Sequence, residues 1–249
     1  MYQQVQNLAH ELRLFGVHRS CERRCAEALS ENLHPAELLK LILEDEKDRR
    51  RETAAKRLVT RAKFRSNAQF EDWDYSRKRG LSKAKMKELA LLNFFHKQQN
   101  LILVGKTGLG KTHLAIAVGN NMCNAGHSVA FYSTNLLLEE AAAEKAAGRY
   151  LKFLKRLTKQ DALILDDFAL RAYNHNEANI FLEILEERYQ KRINIVTSQV
   201  DPDGWLGLFE DSVISEAIVD RLRNPSEHIL LEGDSYRKNL KKLEEEKRD

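Results

Sequence analysis

The chain has 249 residues, of which 43% are hydrophobic and 31% charged, with a formal net charge of +4. That is enough for one sizeable domain and a smaller appendage, and the balance excludes a disordered or membrane-embedded protein. No apolar run approaches ~18 residues and no signal-peptide core opens the sequence, so no membrane is expected as a partner.

Residues 1 to about 66 carry apolar side chains at helical spacing, through Leu12, Leu14, Ala26, Leu29, Leu38, Leu39 and Leu43. Pro35 suits the first turn of a helix, so Asn32-Leu33-His34-Pro35 marks a break. Cys21 and Cys25 share this region; with Cys123 they make no disulfide framework, and His18 is too little to complete a metal site. Thiols of this kind suit a reducing cytoplasm. No glycine interrupts residues 17 to 79, so the helix begun at Pro35 extends into a basic run. From Lys47 to Arg65 there are nine basic residues, including Arg49, Arg50, Arg51, Arg57 and Arg61, against Asp48 and Glu52 alone. Such density suits a phosphate backbone, with a solvated helix face as the alternative.

An aromatic and acidic strip, Phe70 to Tyr75, then leads into alternating strand and helix patterns. Strands are expected at 100–104, 128–132, 162–166, 193–197 and 227–231, with helices at 111–124, 134–158, 176–191, 212–223 and 235–247. Five β segments separated by helices predict an α/β fold with an open parallel sheet covered on both faces. The expected organisation is a small all-helical domain over 1–66, a linker and first core helix over 67–99, and a nucleotide-binding core over 100–249.

The first strand, Leu101 to Val104, runs into Gly105-Lys106-Thr107-Gly108-Leu109-Gly110-Lys111-Thr112, a complete G-x-x-x-x-G-K-T loop, followed by a helix. Strand, glycine loop and helix form an anion cradle from backbone N–H groups and the positive helix end. Lys111 would reach the β- and γ-phosphates, and Thr112 would place its hydroxyl on Mg2+. Fifty-five residues after Lys111, a strand ends in Asp166-Asp167. Asp166 is suited to hold Mg2+ and Asp167 to orient or deprotonate a water. Ser198 and Gln199, at the end of the next strand, are alternative partners for the γ-phosphate or that water. Arg221, Arg223 and Arg237 are arginines of the type that stabilises a transferring phosphoryl group.

GKTGLGKTHLA at 105–115, LILDDF at 163–168, IVTSQ at 195–199, DRLR at 220–223 and DSYRK at 234–238 resemble the IstB/DnaC branch of AAA+ ATPases, most nearly IstB. The likeness runs from about Phe70 to the last residue, some seven-tenths of the chain. It implies a P-loop AAA+ core with a reduced C-terminal lid, and an ATPase using Mg2+. It implies further a homo-oligomer on double-stranded DNA that engages a transposase, with a helicase loader as the alternative. By position Gln199 matches sensor 1, Arg221 the arginine finger (Arg223 as fallback) and Arg237 sensor 2, while the strip at Phe70, Trp73 and Tyr75 corresponds to a linker near the adenine. The helix carrying Arg149, Lys152, Lys155, Arg156 and Lys159 falls where related initiators contact DNA, or is a solvated face. Many AAA+ proteins have Glu at the position of Asp167; the side chain here is shorter by about 1.5 Å, which implies slow turnover. A small-molecule kinase would need an acceptor pocket and an arginine-rich lid, and the basic run lies before the core instead. A nucleotide-dependent switch with negligible hydrolysis is compatible with Asp167.

Overall fold

The computed structural model describes residues 2–76, 79–233 and 235. The chain divides into two compact units, Met1–Leu58 and Val59–Asp249. The first holds α1 (Tyr2–Glu11), α2 (Phe15–Glu31) and most of α3 (Pro35–Ala62). Ala9, Val17 and Cys21 form its small core, with Leu14 and Ile42 packed against them. Arg24 ties α2 to α3 through two parallel bonds to Asp45, Nε to Oδ2 and Nη2 to Oδ1, both 2.8 Å. The expected break at 32–35 is present, with Asn32 in the left-handed region at φ 52°. A second break, at Leu12–Leu14, is hidden in the sequence by continuous helical spacing; Arg13 takes φ 57° there. The basic run does continue the helix, as far as Ala62, where Lys63 at φ 58° ends it.

The second unit opens with α4 (Lys83–Ala90) and the short α5 (Asn93–His96), then alternates β1 (Asn100–Gly105), α6 (Lys111–Asn124), β2 (Val129–Ser133), α7 (Thr134–Ala146) and α8 (Tyr150–Thr158). It continues with β3 (Ala162–Phe168), α9 (His175–Arg188), β4 (Ile193–Ser198), α10 (Ser212–Arg223) and β5 (Ser226–Leu231). The strands form one sheet in the order β2-β3-β4-β1-β5, and every pairing is parallel. The central strands β1, β3 and β4 are buried along nearly their whole length because both faces are covered, while the edge strands β2 and β5 are only partly buried. Ile102, Val104, Leu163, Leu165 and Val196 pack with residues of α7 to α10. Ile164, one residue out of phase, meets α6 instead, where a Cβ on Gly119 would lie 2.9 Å from its Cδ1.

The single helix expected at 134–158 is two. Gly148, at φ +68°, interrupts it and lets α8 leave in a new direction. α9 starts at a capping box in which Asn174 and Glu177 bond each other's backbone amides. Between β4 and α10 two short 3-10 turns, Pro202–Gly204 and Leu206–Leu208, flank Trp205, which is fully buried. Apart from Ser235, the helix expected at 235–247, with the lid it would form and Arg237 on it, lies outside the described residues.

Candidate nucleotide site

The glycine loop joins the end of β1 to the first turn of α6. Gly110 takes φ +96° and leaves no room for a side chain: a Cβ there would lie 3.0 Å from both Trp73 Cζ3 and Arg79 Nη1. Gly108, at φ +84°, is covered by Ser235, whose Oγ would be 2.1 Å from an added Cβ. Two glycines thus let the loop turn its amides inward beneath neighbours from both ends of the unit. Lys111 is buried; its Nζ donates to the carbonyls of Gly105 at 2.6 Å and Lys106 at 3.0 Å, so the ammonium spans the loop it belongs to.

Asp166 stands at the end of β3, fully buried. Its Oδ1 accepts from the hydroxyls of Thr112, at 2.8 Å, and Thr197, at 2.7 Å; Arg65 Nη1 is 3.5 Å from Oδ2. Burial pushes its pKa above the usual carboxylate range, opposed by the two hydroxyl bonds and the Arg65 charge and reinforced by the neighbouring Asp167. A carboxylate with this need for positive charge, beside a hydroxyl from the loop, fits a hydrated Mg2+ in its chemistry. Asp167 takes φ 57°, in the left-handed region, and its amide donates to Thr197 Oγ1 at 3.0 Å. Thr107, Gly108, Lys111, Thr112, Asp167 and Gln199 line one pocket with Trp73 and Arg79.

Ser198 and Gln199 have different surroundings. Ser198 Oγ donates to Val200 O at 2.8 Å and accepts from Trp205 Nε1 at 3.2 Å, so it closes a turn. Gln199 Oε1 accepts from Thr107 Oγ1 at 2.7 Å and so faces the loop. Of the aromatic strip, Trp73 is buried beside the loop under the Arg79 guanidinium, 3.6 Å from its ring centre, while Tyr75 is exposed. Arg221 is not on this pocket. It is held against α9 by an ion pair with Glu186, over the Tyr189 ring at 5.8 Å, and it donates to its own helix at Ala217 O at 2.7 Å. Arg223 pairs with Asp203 at 2.7 Å.

The residues expected to meet DNA lie elsewhere. On α8, Lys152 and Lys155 are exposed, whereas Arg149 pairs with Glu144 at 2.9 Å and Arg156 with Glu140. On α3, Arg51, Arg57 and Arg61 are exposed, Arg50 pairs with Glu46 at 2.6 Å, and Arg49 lies 4.5 Å from the Phe15 ring centre. Thr197 and Arg65 are site residues that the sequence pattern does not single out. The polar end that Thr197 shares with Ser198, after the apolar Ile195 and Val196 of a buried strand, is a signal for the first; the second is masked by the basic run.

An all-parallel sheet in this strand order, carrying a glycine loop and a strand-end carboxylate pair on one edge, defines a P-loop nucleotide-binding protein of the AAA+ type. Residues 7–244 match the IstB-like ATP binding protein family, and the chain belongs to it. It is 35% identical over 234 residues to an insertion-sequence ATP-binding protein of Mycobacterium tuberculosis, covering 94% of this chain and 93% of that one. An ATP-binding protein of insertion sequence IS21 from Pseudomonas aeruginosa is 31% identical over 94% of this chain and 88% of its own length. Among solved structures, DnaI superposes with a TM-score of 0.56 at 23% identity, over 72% of this chain and 92% of that one. AMPPCP-bound DnaA from Aquifex aeolicus gives 0.56 at 20% identity, over 74% and 56%. These likenesses establish the fold. The chain is an ATP-binding member of an insertion-sequence family, and no described helix is long and apolar enough to cross a membrane.

Proposed function

We propose that the protein is an ATPase that serves transposition: it oligomerises on double-stranded DNA and recruits or stimulates the transposase of its insertion sequence, in the cytoplasm. The carrying observation is the convergence of the glycine loop, Asp167 and Gln199 on one pocket, with Asp166 bonded to the loop's Thr112, in a chain whose relatives belong to insertion sequences. Lys111 exchanges the carbonyls of Gly105 and Lys106 for the β- and γ-phosphates of ATP. Thr112 and Asp166 hold Mg2+, which when bound neutralises charge on the phosphate oxygens. Asp167 orients or deprotonates the attacking water, and Gln199, steadied by Thr107, fixes it from the other side. Arg221 leaves Glu186 and completes the site of a neighbouring subunit, a contribution of ~10³–10⁵ in rate for such arginines. Arg237 acts on the phosphates within the same subunit. The exposed cations of α3 and α8 grip the duplex backbone without reading sequence.

The test is turnover and partner capture by the purified protein. Hydrolysis should be slow alone and rise with duplex DNA, and immobilised protein with ATP and DNA should retain the transposase of its own element. Retention of a replicative helicase ring with no response to the transposase would overturn the reading in favour of a loader.

A further inference from the structure

We propose that Arg65 is a built-in counter-charge for Asp166 which a divalent cation must displace, so that Arg65 sets the metal requirement of nucleotide binding. This rests on the reading that Thr112 and Asp166 hold the cation. A fully buried carboxylate needs compensating positive charge or it is driven to protonate. The two hydroxyls on Oδ1 are neutral, and it is the guanidinium of Arg65 that brings a full charge to Oδ2, at 3.5 Å.

The geometry combines a fixed backbone with a side chain able to leave. Phe64 anchors the segment: its ring is 6.3 Å from that of Phe131, and it packs so closely on α6 that a Cβ at Gly119 would meet it at 2.8 Å. Arg65 itself is half in solvent, its side chain 48% exposed, with its guanidinium 5.6 Å from the Phe131 ring centre. An ion pair of 3.5 Å from a half-exposed arginine is weak enough to be exchanged. Arg65 also lines the pocket shared by Lys111, Thr112 and Asp167. Two cations on one carboxylate, Arg65 at Oδ2 and an ion beside Thr112 at Oδ1, repel each other. Arrival of a divalent ion therefore breaks the pairing of Arg65 with Asp166, and removal of Arg65 makes that arrival easier.

The experiment is a Mg2+ titration of the full-length protein with a fluorescent ATP analogue at fixed concentration. Arg65→Ala should lower the Mg2+ concentration for half-maximal binding by about threefold or more, the scale of a half-exposed ion pair. Arg65→Lys keeps the charge and should stay within about twofold of wild type. An unchanged midpoint in Arg65→Ala overturns the proposal; a raised one also overturns it, and makes Arg65 a phosphate ligand. Wild-type binding that needs no Mg2+ would overturn both this inference and the cation role of Thr112 and Asp166. That failure shows in the wild type alone, and so is distinct from failure of the Arg65 variants.

Discussion

One hydroxyl of β4 holds the Asp166 carboxylate and the Asp167 backbone amide. Thr197 Oγ1 donates to Asp166 Oδ1 at 2.7 Å and accepts the Asp167 amide at 3.0 Å. Thr197→Val keeps the shape and deletes both bonds inside a buried region, which should cost about 1–3 kcal/mol. Urea unfolding measures it, and an unchanged midpoint would contradict the role. Arg221 carries a different kind of claim. Arg221→Ala should spare ATP binding and reduce hydrolysis at least tenfold, and mixing it with an Asp167→Asn subunit should restore part of the rate. No restoration would place the arginine in cis or shift the role to Arg223. At this scale the sequence is informative where chemistry dictates spacing, as for Lys111, Thr112 and Asp166. It is silent where tertiary register decides: nothing local to Ser198 and Gln199 says which of them Trp205 will claim. The same holds for Arg65, one cation among nine until the fold sets it against Asp166.

Secondary elements are legible to the extent that apolar period and punctuation agree. The three central strands, β1, β3 and β4, lie where buried, largely apolar runs announce them, because a sheet covered on both faces leaves no other place for those runs. The edge strands β2 and β5 fall within a residue of their expected ranges with only part of their residues buried. The helix expected over 134–158 fails at Gly148, whose left-handed φ of +68° is a tertiary choice that a glycine permits and does not demand. Nothing lies within 4 Å of a Cβ added there, so Gly148→Ala should cost only the strain of a left-handed L residue, about 1–2 kcal/mol. A loss several times larger would mean that the α7–α8 turn is held for another reason. In the N-terminal unit the Arg24 guanidinium beside Asp45 holds that carboxyl down at about 2, against an ordinary 3.8. A depressed pKa stabilises the folded state above the ordinary value and loses that contribution as pH falls through the folded one. Asp45→Asn should therefore be less stable by about 1 kcal/mol at neutral pH, with the gap closing between about pH 4 and pH 2. Helical circular dichroism during thermal unfolding reads this, and a gap independent of pH would contradict it.

In the molecule as a whole, the proposed function couples the nucleotide site to an assembly on DNA. The charge that supports the DNA side is concentrated: nine of the basic residues fall between Lys47 and Arg65. Neutralising Arg49, Arg50, Arg51, Arg57 and Arg61 together should weaken duplex binding and flatten its salt dependence, since each phosphate left unneutralised takes about 0.9 off the log–log slope. An unchanged slope would assign the run to a protein partner. The change of composition near residue 67 is where the sequence sets off a helical N-terminal part from a nucleotide core. The division at Leu58 and Val59 is not legible there, because α3 runs through it without a break in helical pattern.

The most direct test of the central claim, that ATP held by the glycine loop drives assembly on DNA, is electron microscopy of the protein with duplex DNA and saturating ATP, wild type beside Lys111→Ala. Ordered rings or filaments enclosing duplex are predicted for the wild type with ATP, and none without ATP or in the variant. The same assemblies formed by Lys111→Ala, or by the wild type without nucleotide, would contradict it.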